Sequence, residues 1–418
     1  MFPGPATRQR RAFTLRNVAE HPLIFRKGLD LKHAVAPVLA ESYHSDLVAA
    51  VKASDNRYRS GRLTVHLARE FGFCYGVDRA VDYAYQARQR FHDRPIFLTG
   101  EIIHNPHVND QIRAQGIRFL TDPGESMDAL LPEDVVILPA FGITIELLNT
   151  LVARGCTLVD TTCGSVLNVW KNVKRYAEDG FTSIIHGKYW HEETRATASQ
   201  AHHAGKGHYL VVLDRAEALT VCDHIRGGGD RRTFLERFEH AVSPGFDPDE
   251  HLQQIGCANQ TTMLSSESLE IGELFRAAIR DRDGEQALPA RFRAFDTICS
   301  ATQDRQDAVI ALLAERSLDL MIVLGGYNSS NTCNLAKLCA DRVATYHIAD
   351  PDCLTSSASI RHKPVHAKHA VATEGWMIDG PISVGLTSGA STPDNLVEAV
   401  IRRLEALAAE SQSRRLGD

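Results

Sequence analysis

The alternation of apolar and polar positions from about residue 62 onward predicts a series of strands and helices. Short apolar runs rich in branched residues are typical of buried strands. Five such runs are clear, at 135–138, 182–185, 209–213, 320–324 and 382–386. Between the runs, apolar residues recur three and four positions apart, which gives a helix one apolar face, as for Val77, Ala80, Val81 and Ala84. Strands that alternate with helices in this way predict an α/β fold built on parallel sheets.

Residues 1–61 differ from this pattern because they are mostly polar, and we predict that they form an N-terminal extension. Their one helical signal begins at Ser45, a favoured N-cap residue, and runs through 46–51. The first acid, Glu20, is preceded by Arg8, Arg10, Arg11 and Arg16. This is the composition of an organelle transit peptide, and a solvated basic arm is the competing interpretation.

The composition excludes several classes of partner. The chain has 418 residues, of which 44% are apolar and 23% charged, enough for two or three globular domains. Its 46 basic and 52 acidic residues leave a net charge of −6, which argues against a nucleic-acid partner. No apolar run approaches the roughly 20 residues that span a bilayer. We therefore expect no nucleic-acid or membrane partner, and a cytoplasmic location, or a plastid if the source is a photosynthetic eukaryote.

Three of the nine cysteines occupy the same local setting. Cys74, Cys163 and Cys299 each follow a probable strand and open a probable helix. Free N–H groups and the helix dipole stabilise a thiolate at such a position. There is no Cys-x-x-Cys pair, so a metal site would have to gather its ligands from distant segments. From spacing alone, a shared iron-sulfur cluster and three unrelated core cysteines both stay open as interpretations.

Eight motifs occur in a fixed order around these cysteines. They are GFCYGVDRAV from Gly72, GEIIHNPHV from Gly100, DTTC ending at Cys163, HGKYWHEET from His186, ANQTTM from Ala258, TICSATQDRQDA from Thr297, NSSN from Asn328 and SGASTPD from Ser388. Between about residue 62 and residue 396, the chain resembles the family of 4-hydroxy-3-methylbut-2-enyl diphosphate reductases. The wording of the HGKYWHEET and NQTTM motifs is closer to the plant and cyanobacterial branch than to the short bacterial one.

The resemblance implies a cofactor and a domain organisation. In this family three cysteines bind a 4Fe-4S cluster whose fourth iron is free to coordinate substrate, and Cys74, Cys163 and Cys299 fall on those positions. The implied fold is a cloverleaf of three α/β lobes around the cluster. The predicted divisions are an extension at 1–61, a first lobe at 62–162, a second at 163–297, a third at 298–396, and a C-terminal helix and tail at 397–418.

The resemblance also implies the roles of individual residues. Glu193 matches the proton donor, and Thr261 matches the hydroxyl that contacts the substrate and helps to pass the proton. The candidates for binding the substrate are His104, His191, Thr261, Ser329, Ser330, Asn331 and Ser391. Without the resemblance, Glu192 and Glu193 would be interpreted as solvated surface acids, 329–331 as a turn and His104 as a structural histidine.

The implied reaction is the reductive removal of a hydroxyl group from an allylic diphosphate, giving isopentenyl and dimethylallyl diphosphates, with electrons from ferredoxin or flavodoxin. An iron-sulfur electron carrier or sensor without turnover is the alternative, and Glu193, Thr261 and the run 328–331 argue against it because a carrier needs none of them.

Two positions depart from the family pattern. Phe141 replaces the histidine of a Ser-Ala-His-Gly motif, and Gly164 replaces the proline that usually follows the second cluster cysteine.

Overall fold

The computed structural model describes residues 24–295 and 297–416. Within these ranges the chain forms three mainly parallel sheets and one antiparallel ribbon, with helices packed around each sheet. The α/β fold predicted from the sequence is confirmed. Among the described helices, none is both long and apolar enough to span a bilayer. The arginine-rich start of the chain lies outside the described residues.

The first sheet is fully parallel and has the strand order β1-β7-β6-β4-β5. Strands β6 and β7 are buried along their whole length, as expected for a sheet covered on both faces. The strands of this sheet are β1 (Ile24–Phe25), β4 (Ile96–Leu98), β5 (Arg118–Phe119), β6 (Val135–Leu138) and β7 (Thr157–Asp160). Its helices are α1 (Lys32–Tyr43), α3 (Tyr75–Arg90), α4 (Pro106–Ala114) and α5 (Ile145–Ala153), with a 3-10 turn at Met127–Ala129.

The second sheet is also parallel, in the order β11-β10-β8-β9. Its strands are β8 (Thr182–His186), β9 (Tyr209–Val212), β10 (Ile255–Asn259) and β11 (Phe292–Ala294). Its helices are α6 (Gly164–Glu178), α7 (Glu192–Ala201), α8 (Arg215–Gly227), α9 (Arg231–Arg237), α10 (Pro248–His251), α11 (Ser265–Asp283) and α12 (Leu288–Arg291), with 3-10 turns at His203–Gly205 and Glu285–Ala287.

The third sheet has the order β13-β12-β16-β3-β2 and is parallel except for β2, which runs antiparallel to β3. Its strands are β2 (Arg57–Ser60), β3 (Leu63–Leu67), β12 (Leu320–Leu324), β13 (Thr345–Ile348) and β16 (Ile382–Ser388). Its helices are α2 (Asp46–Ala53), α13 (Ser300–Glu315), α14 (Ser330–Ala340) and α15 (Asp394–Leu416). A 3-10 turn at Pro351–Cys353 and the ribbon of β14 (Ser359–His362) and β15 (Val371–Glu374) complete this lobe.

The predicted strands and the helix after Ser45 agree with the structure, whereas α1 in the N-terminal segment was not predicted. All five predicted strands are present. The apolar face formed by Val77, Ala80, Val81 and Ala84 of α3 is buried. Ser45 caps α2, since its hydroxyl accepts a hydrogen bond from the N–H of Val48 at 2.9 Å.

The assignment of the strand at 63–67 to the first lobe is wrong. Strand β3 pairs with β16 in the third sheet, and Leu63, Val65 and Leu67 are buried in the same core as Val400 of α15. Burying an aliphatic side chain of this size contributes about 1.5–3 kcal/mol, so β3 is integral to that core. Residues 24–61 and 397–416 also pack on the lobes, because β1 joins the first sheet and both α2 and α15 pack on the third. The boundaries at 163 and 298 stay predictions.

Candidate functional site

The three predicted cluster cysteines lie at the starts of three helices. Cys74 directly precedes α3, Cys163 precedes α6 and Cys299 precedes α13, which confirms the strand-cysteine-helix setting. Burial raises the pKa of the Cys163 thiol, and backbone N–H groups of Ser165 and Val166 oppose this rise. Burial raises the pKa of Cys299 to about 11, against hydrogen bonds from Thr302. The helix starts thus supply donors that favour the thiolate form.

Each of these cysteines also lies on a stretch of chain that connects a strand of one sheet to a helix packed on another sheet. Cys74 connects β3 of the third sheet to α3 of the first lobe. Cys163 connects β7 of the first sheet to α6 of the second lobe, and Cys299 connects β11 of the second sheet to α13 of the third. The three junctions form a closed cycle along the chain, and the thiols of Cys163 and Cys299 both interact electrostatically with that of Cys74.

Gly76 shows how closely two of the thiols approach the same point. A Cβ atom placed on Gly76 would lie 2.5 Å from Sγ of Cys163 and 3.9 Å from Sγ of Cys74. Only a residue without a side chain leaves room for both thiols at the first turn of α3. All three cysteines are free and partly exposed. They therefore fit a shared inorganic cluster bound by thiolates, which needs unpaired sulfur ligands that face one space.

The backbone of each cysteine is fixed to a loop that carries another residue of the site. The N–H of Cys74 donates to the carbonyl of Ala390 at 3.1 Å, next to Ser391. The N–H of Cys299 donates to the carbonyl of Thr261 at 3.3 Å, and that of Cys163 to Ala140 at 2.9 Å, next to Phe141. The cysteines and the candidate substrate residues thus share one framework.

Glu193 is a fully buried carboxylic acid at the start of α7, held on both oxygens by one residue. Its Oε1 accepts the backbone N–H of Thr261 at 2.6 Å, and its Oε2 lies 3.0 Å from the hydroxyl of Thr261. Burial raises the pKa of Glu193 to about 7, although the Thr261 hydrogen bonds lower it in part. Near neutral pH, Glu193 is therefore a carboxyl group that can hold and release a proton.

Two histidines form the next part of the site. His104 lies with Nδ1 2.7 Å from Oε2 of Glu101 and with Nε2 3.2 Å from Nε2 of His191. Burial opposes the charge on His104, but hydrogen bonds with Glu101 and Glu192 outweigh it and raise its pKa to about 9. Burial and the charge of His104 lower the pKa of His191 to about 3. The pair therefore carries one positive charge, on His104.

Serine and asparagine side chains complete the site at the start of α14. Ser329 caps this helix, Ser330 and Asn331 form its first turn, and all three are buried. The amide oxygen of Asn331 accepts the N–H of Ala390 at 3.0 Å, whereas its buried Nδ2 has no hydrogen-bond partner in the described structure. Ser391 lies nearby, with its hydroxyl 3.3 Å from the carbonyl of His104. A helix start with an unused buried donor fits a bound anion.

The structure brings all the predicted site residues into one region and adds two that the sequence analysis gave no binding role. Gln260 accepts the N–H of Lys188 at 3.1 Å and donates to Ser330 at 3.2 Å, so it joins the second lobe to the third. The Lys188 ammonium lies 3.0 Å from Oγ of Ser330. For Lys188, the signal available in the sequence was its position just after a buried strand, between Gly187 and the His191 motif.

Phe141 contacts the site without adding a polar atom to it. Its ring stacks on His104, with 4.3 Å between the ring centroids. This aromatic contact orients the imidazole of His104 from one face, while Glu101 holds it from the edge. The departure from the family motif at this position therefore replaces a polar group with a packing contact.

The fold and the site define an α/β oxidoreductase in which three thiols and a buried acid meet between three lobes. The chain belongs to the LytB family, whose family model, described as LytB protein, matches residues 65–405. The family uses an iron-sulfur cluster, and the free cysteines fit that cofactor.

Curated relatives from cyanobacteria cover most of the chain. All are named 4-hydroxy-3-methylbut-2-enyl diphosphate reductase. The relative from Thermosynechococcus vestitus is 46% identical over 91% of this chain and 94% of its own. One from a Synechococcus strain is 48% identical over 91% of this chain and 95% of its own. One from Gloeobacter violaceus is 47% identical over 93% of this chain and 94% of its own.

Two solved structures share the fold. One is described as (E)-4-hydroxy-3-methyl-but-2-enyl diphosphate reductase, the terminal enzyme of the non-mevalonate pathway. It has a TM-score of 0.51 and 24% identity, and the match covers 82% of this chain and 99% of that one. The other is described as E-1-hydroxy-2-methyl-but-2-enyl-4-diphosphate reductase from Plasmodium falciparum. It has a TM-score of 0.58 and 20% identity, and the match covers 81% of this chain and 86% of that one.

Proposed function

We propose that the site between the three lobes removes the hydroxyl group of 4-hydroxy-3-methylbut-2-enyl diphosphate, giving isopentenyl and dimethylallyl diphosphates. The activity is that of the family's reductases, oxidoreductases of the non-mevalonate pathway. Two electrons and two protons are consumed. The bond between carbon and the hydroxyl oxygen breaks, the oxygen leaves as water, and a C–H bond forms on the allylic unit.

The contact between Glu193 and Thr261 is the observation that carries this proposal. When Glu193 is protonated, its O–H can donate to the hydroxyl of Thr261, which can then pass its own hydrogen to the departing oxygen. The backbone N–H of Thr261 keeps the other carboxyl oxygen in place. An electron carrier needs no buried acid of this kind, whereas a dehydroxylation needs a proton donor at the leaving group.

Cys74, Cys163 and Cys299 are the proposed ligands of a 4Fe-4S cluster. When bound, the cluster supplies a Lewis-acidic iron for the hydroxyl oxygen and passes electrons. The helix starts behind Cys163 and Cys299 provide N–H groups to the sulfur atoms, which stabilise the negative charge of the site. We propose ferredoxin or flavodoxin as the electron donor and the cytoplasm as the location.

The proposed diphosphate ligands lie on two sides of one space. His104 carries the positive charge of the histidine pair, and His191 caps α7. Across from them, the start of α14 offers Ser329, Ser330 and Asn331, and Ser391 lies beside it. A phosphate at a helix start gains hydrogen bonds from free N–H groups and a favourable dipole.

The direct test is turnover by anaerobically reconstituted protein with a strong chemical reductant. We expect the added 4-hydroxy-3-methylbut-2-enyl diphosphate to disappear and both five-carbon diphosphates to form, as followed by mass spectrometry. Cluster-loaded protein that accepts electrons yet leaves the substrate unchanged would contradict the proposal and favour an electron carrier.

The rate should depend on pH through Glu193. Because its pKa is raised to about 7 and the protonated form is the active one, kcat should be highest below this pH. Above it, kcat should fall by roughly tenfold per pH unit as the carboxyl group ionises. His104, with a pKa near 9, titrates at higher pH and is thereby separable. A kcat profile measured from about pH 6 to pH 9 that is flat, or that rises with pH, would exclude Glu193 as the acid.

A further inference from the structure

Lys188 is a half-buried cation without an anionic partner. It lies between β8 and α7, and its backbone N–H is fixed by Gln260. Within the described ranges no carboxylate pairs with its ammonium, and its electrostatic neighbours include the thiol of Cys333, the ammonium of Lys363 and His191. The ammonium carries three hydrogens, and Ser330 Oγ is the acceptor that the structure gives it.

The position of this ammonium is unfavourable unless an anion is bound. Ser330 lies in the first turn of α14, where the helix dipole is positive. Lys363 adds a second positive charge, donating to the carbonyl of Tyr327 at 3.1 Å. The buried Nδ2 of Asn331 in the same turn has no acceptor in the described structure. Two cations, a helix start and an unused donor therefore converge where no negative group of the described chain balances them.

The histidine side of the site does not supply enough positive charge to balance a bound diphosphate. Phe141 stacks on His104 and brings no polar atom. His191 is held neutral by burial and by the charge on His104. The negative charge of Glu101 beside His104 offsets the one imidazolium on that side. A diphosphate with several negative charges thus needs a cation on the α14 side.

We propose that Lys188 binds the diphosphate group of the substrate directly, together with Ser330 and Asn331, and that its charge sets much of the affinity. This inference rests on the proposed function, since it assigns a ligand to the same site. On substrate binding, Ser330 Oγ turns from accepting the Lys188 hydrogen to donating to a phosphate oxygen. Lys188 then forms charge-assisted hydrogen bonds to that group.

The test compares Lys188→Met with Lys188→Arg in the cluster-loaded enzyme. The probe is inorganic diphosphate, measured as a competitive inhibitor and by calorimetric binding. Loss of one charge-assisted contact should raise Ki and KM by roughly 10- to 100-fold in Lys188→Met. Lys188→Arg should keep most of the affinity, and kcat and iron content should change little. Lys363→Met separates direct contact from nearby charge: this lysine donates to a carbonyl instead of Ser330, so its loss should raise Ki less than the loss of Lys188 does.

Three outcomes would overturn the assignment of Lys188. The first is a Ki for Lys188→Met that equals that of the wild type. The second is an equal loss in Lys188→Arg, which would show that charge is not the cause. The third is an equal loss of affinity in Lys363→Met, which would indicate that positive charge near the site, rather than direct contact, sets the affinity. If the wild type failed to turn over the substrate, the proposed function would fail, and calorimetry with inorganic diphosphate would still decide on Lys188.

Discussion

Replacing Glu193 with glutamine should lower kcat by roughly 10²- to 10⁴-fold while KM stays close to that of the wild type. Glutamine keeps the shape of the side chain and both contacts, since its oxygen can accept the Thr261 N–H and its amide can donate to the Thr261 hydroxyl. What it removes is the proton that the carboxyl group delivers. The diphosphate contacts come from other residues, so substrate binding should persist.

Steady-state kinetics of Glu193→Gln, with iron content measured on the same sample, checks this prediction. Glu273→Gln serves as the control, because Glu273 is a solvent-exposed acid of α11 that faces Arg276. The control should retain the wild-type rate. A Glu193→Gln protein with full iron content and a kcat within about threefold of the wild type would show that another group supplies the proton.

Replacing Cys299 with serine should abolish both the cluster and the activity. Serine is a good N-cap residue, so α13 should still begin at residue 300. The hydroxyl is a far poorer ligand for iron than a thiolate, and two remaining cysteines cannot hold the cluster in place. The anaerobically purified variant should therefore be folded but depleted in iron and sulfide, without the paramagnetic signal of a reduced cluster.

Cys222→Ser is the matched control for this experiment. Cys222 lies in the buried core of the second lobe, far along the chain from the helix starts that carry the three ligands. Iron per folded protein should match that of the wild type even if the buried hydroxyl costs some stability. Equal iron content and the same spectrum in Cys299→Ser would remove Cys299 from the ligand set.

The positions of the three cysteines between the lobes predict that a bound cluster stabilises the arrangement of the lobes. Because each cysteine joins one lobe to the next, a cluster bound to all three would tie the lobes together at a single point. Gln260 and Lys188 add a second connection, between the second lobe and α14 of the third. Binding of the cluster and of a diphosphate should therefore both stabilise the arrangement of the lobes.

The local structure could be read from the sequence because it depends on neighbours along the chain. The buried strands, the apolar face of α3 and the Ser45 cap follow from side-chain periodicity and from hydrogen bonds within one turn. The same holds for the position of each cysteine before a helix. The ordered motifs further indicated the family and the candidate residues.

Tertiary structure alone decided which strands share a sheet. The sequence places β3 next to the first lobe, yet its partners β16 and β2 lie in the third, because the register of a parallel strand depends on contacts with distant segments. The same non-local packing puts Lys188 against Ser330 and Glu193 against Thr261, pairs far apart along the chain. The sequence by itself therefore determined the elements, the cysteine setting and the chemical groups of this protein. The tertiary structure determined that the three cysteines lie at the junctions of a closed cycle of lobes, since only long-range packing brings those junctions together.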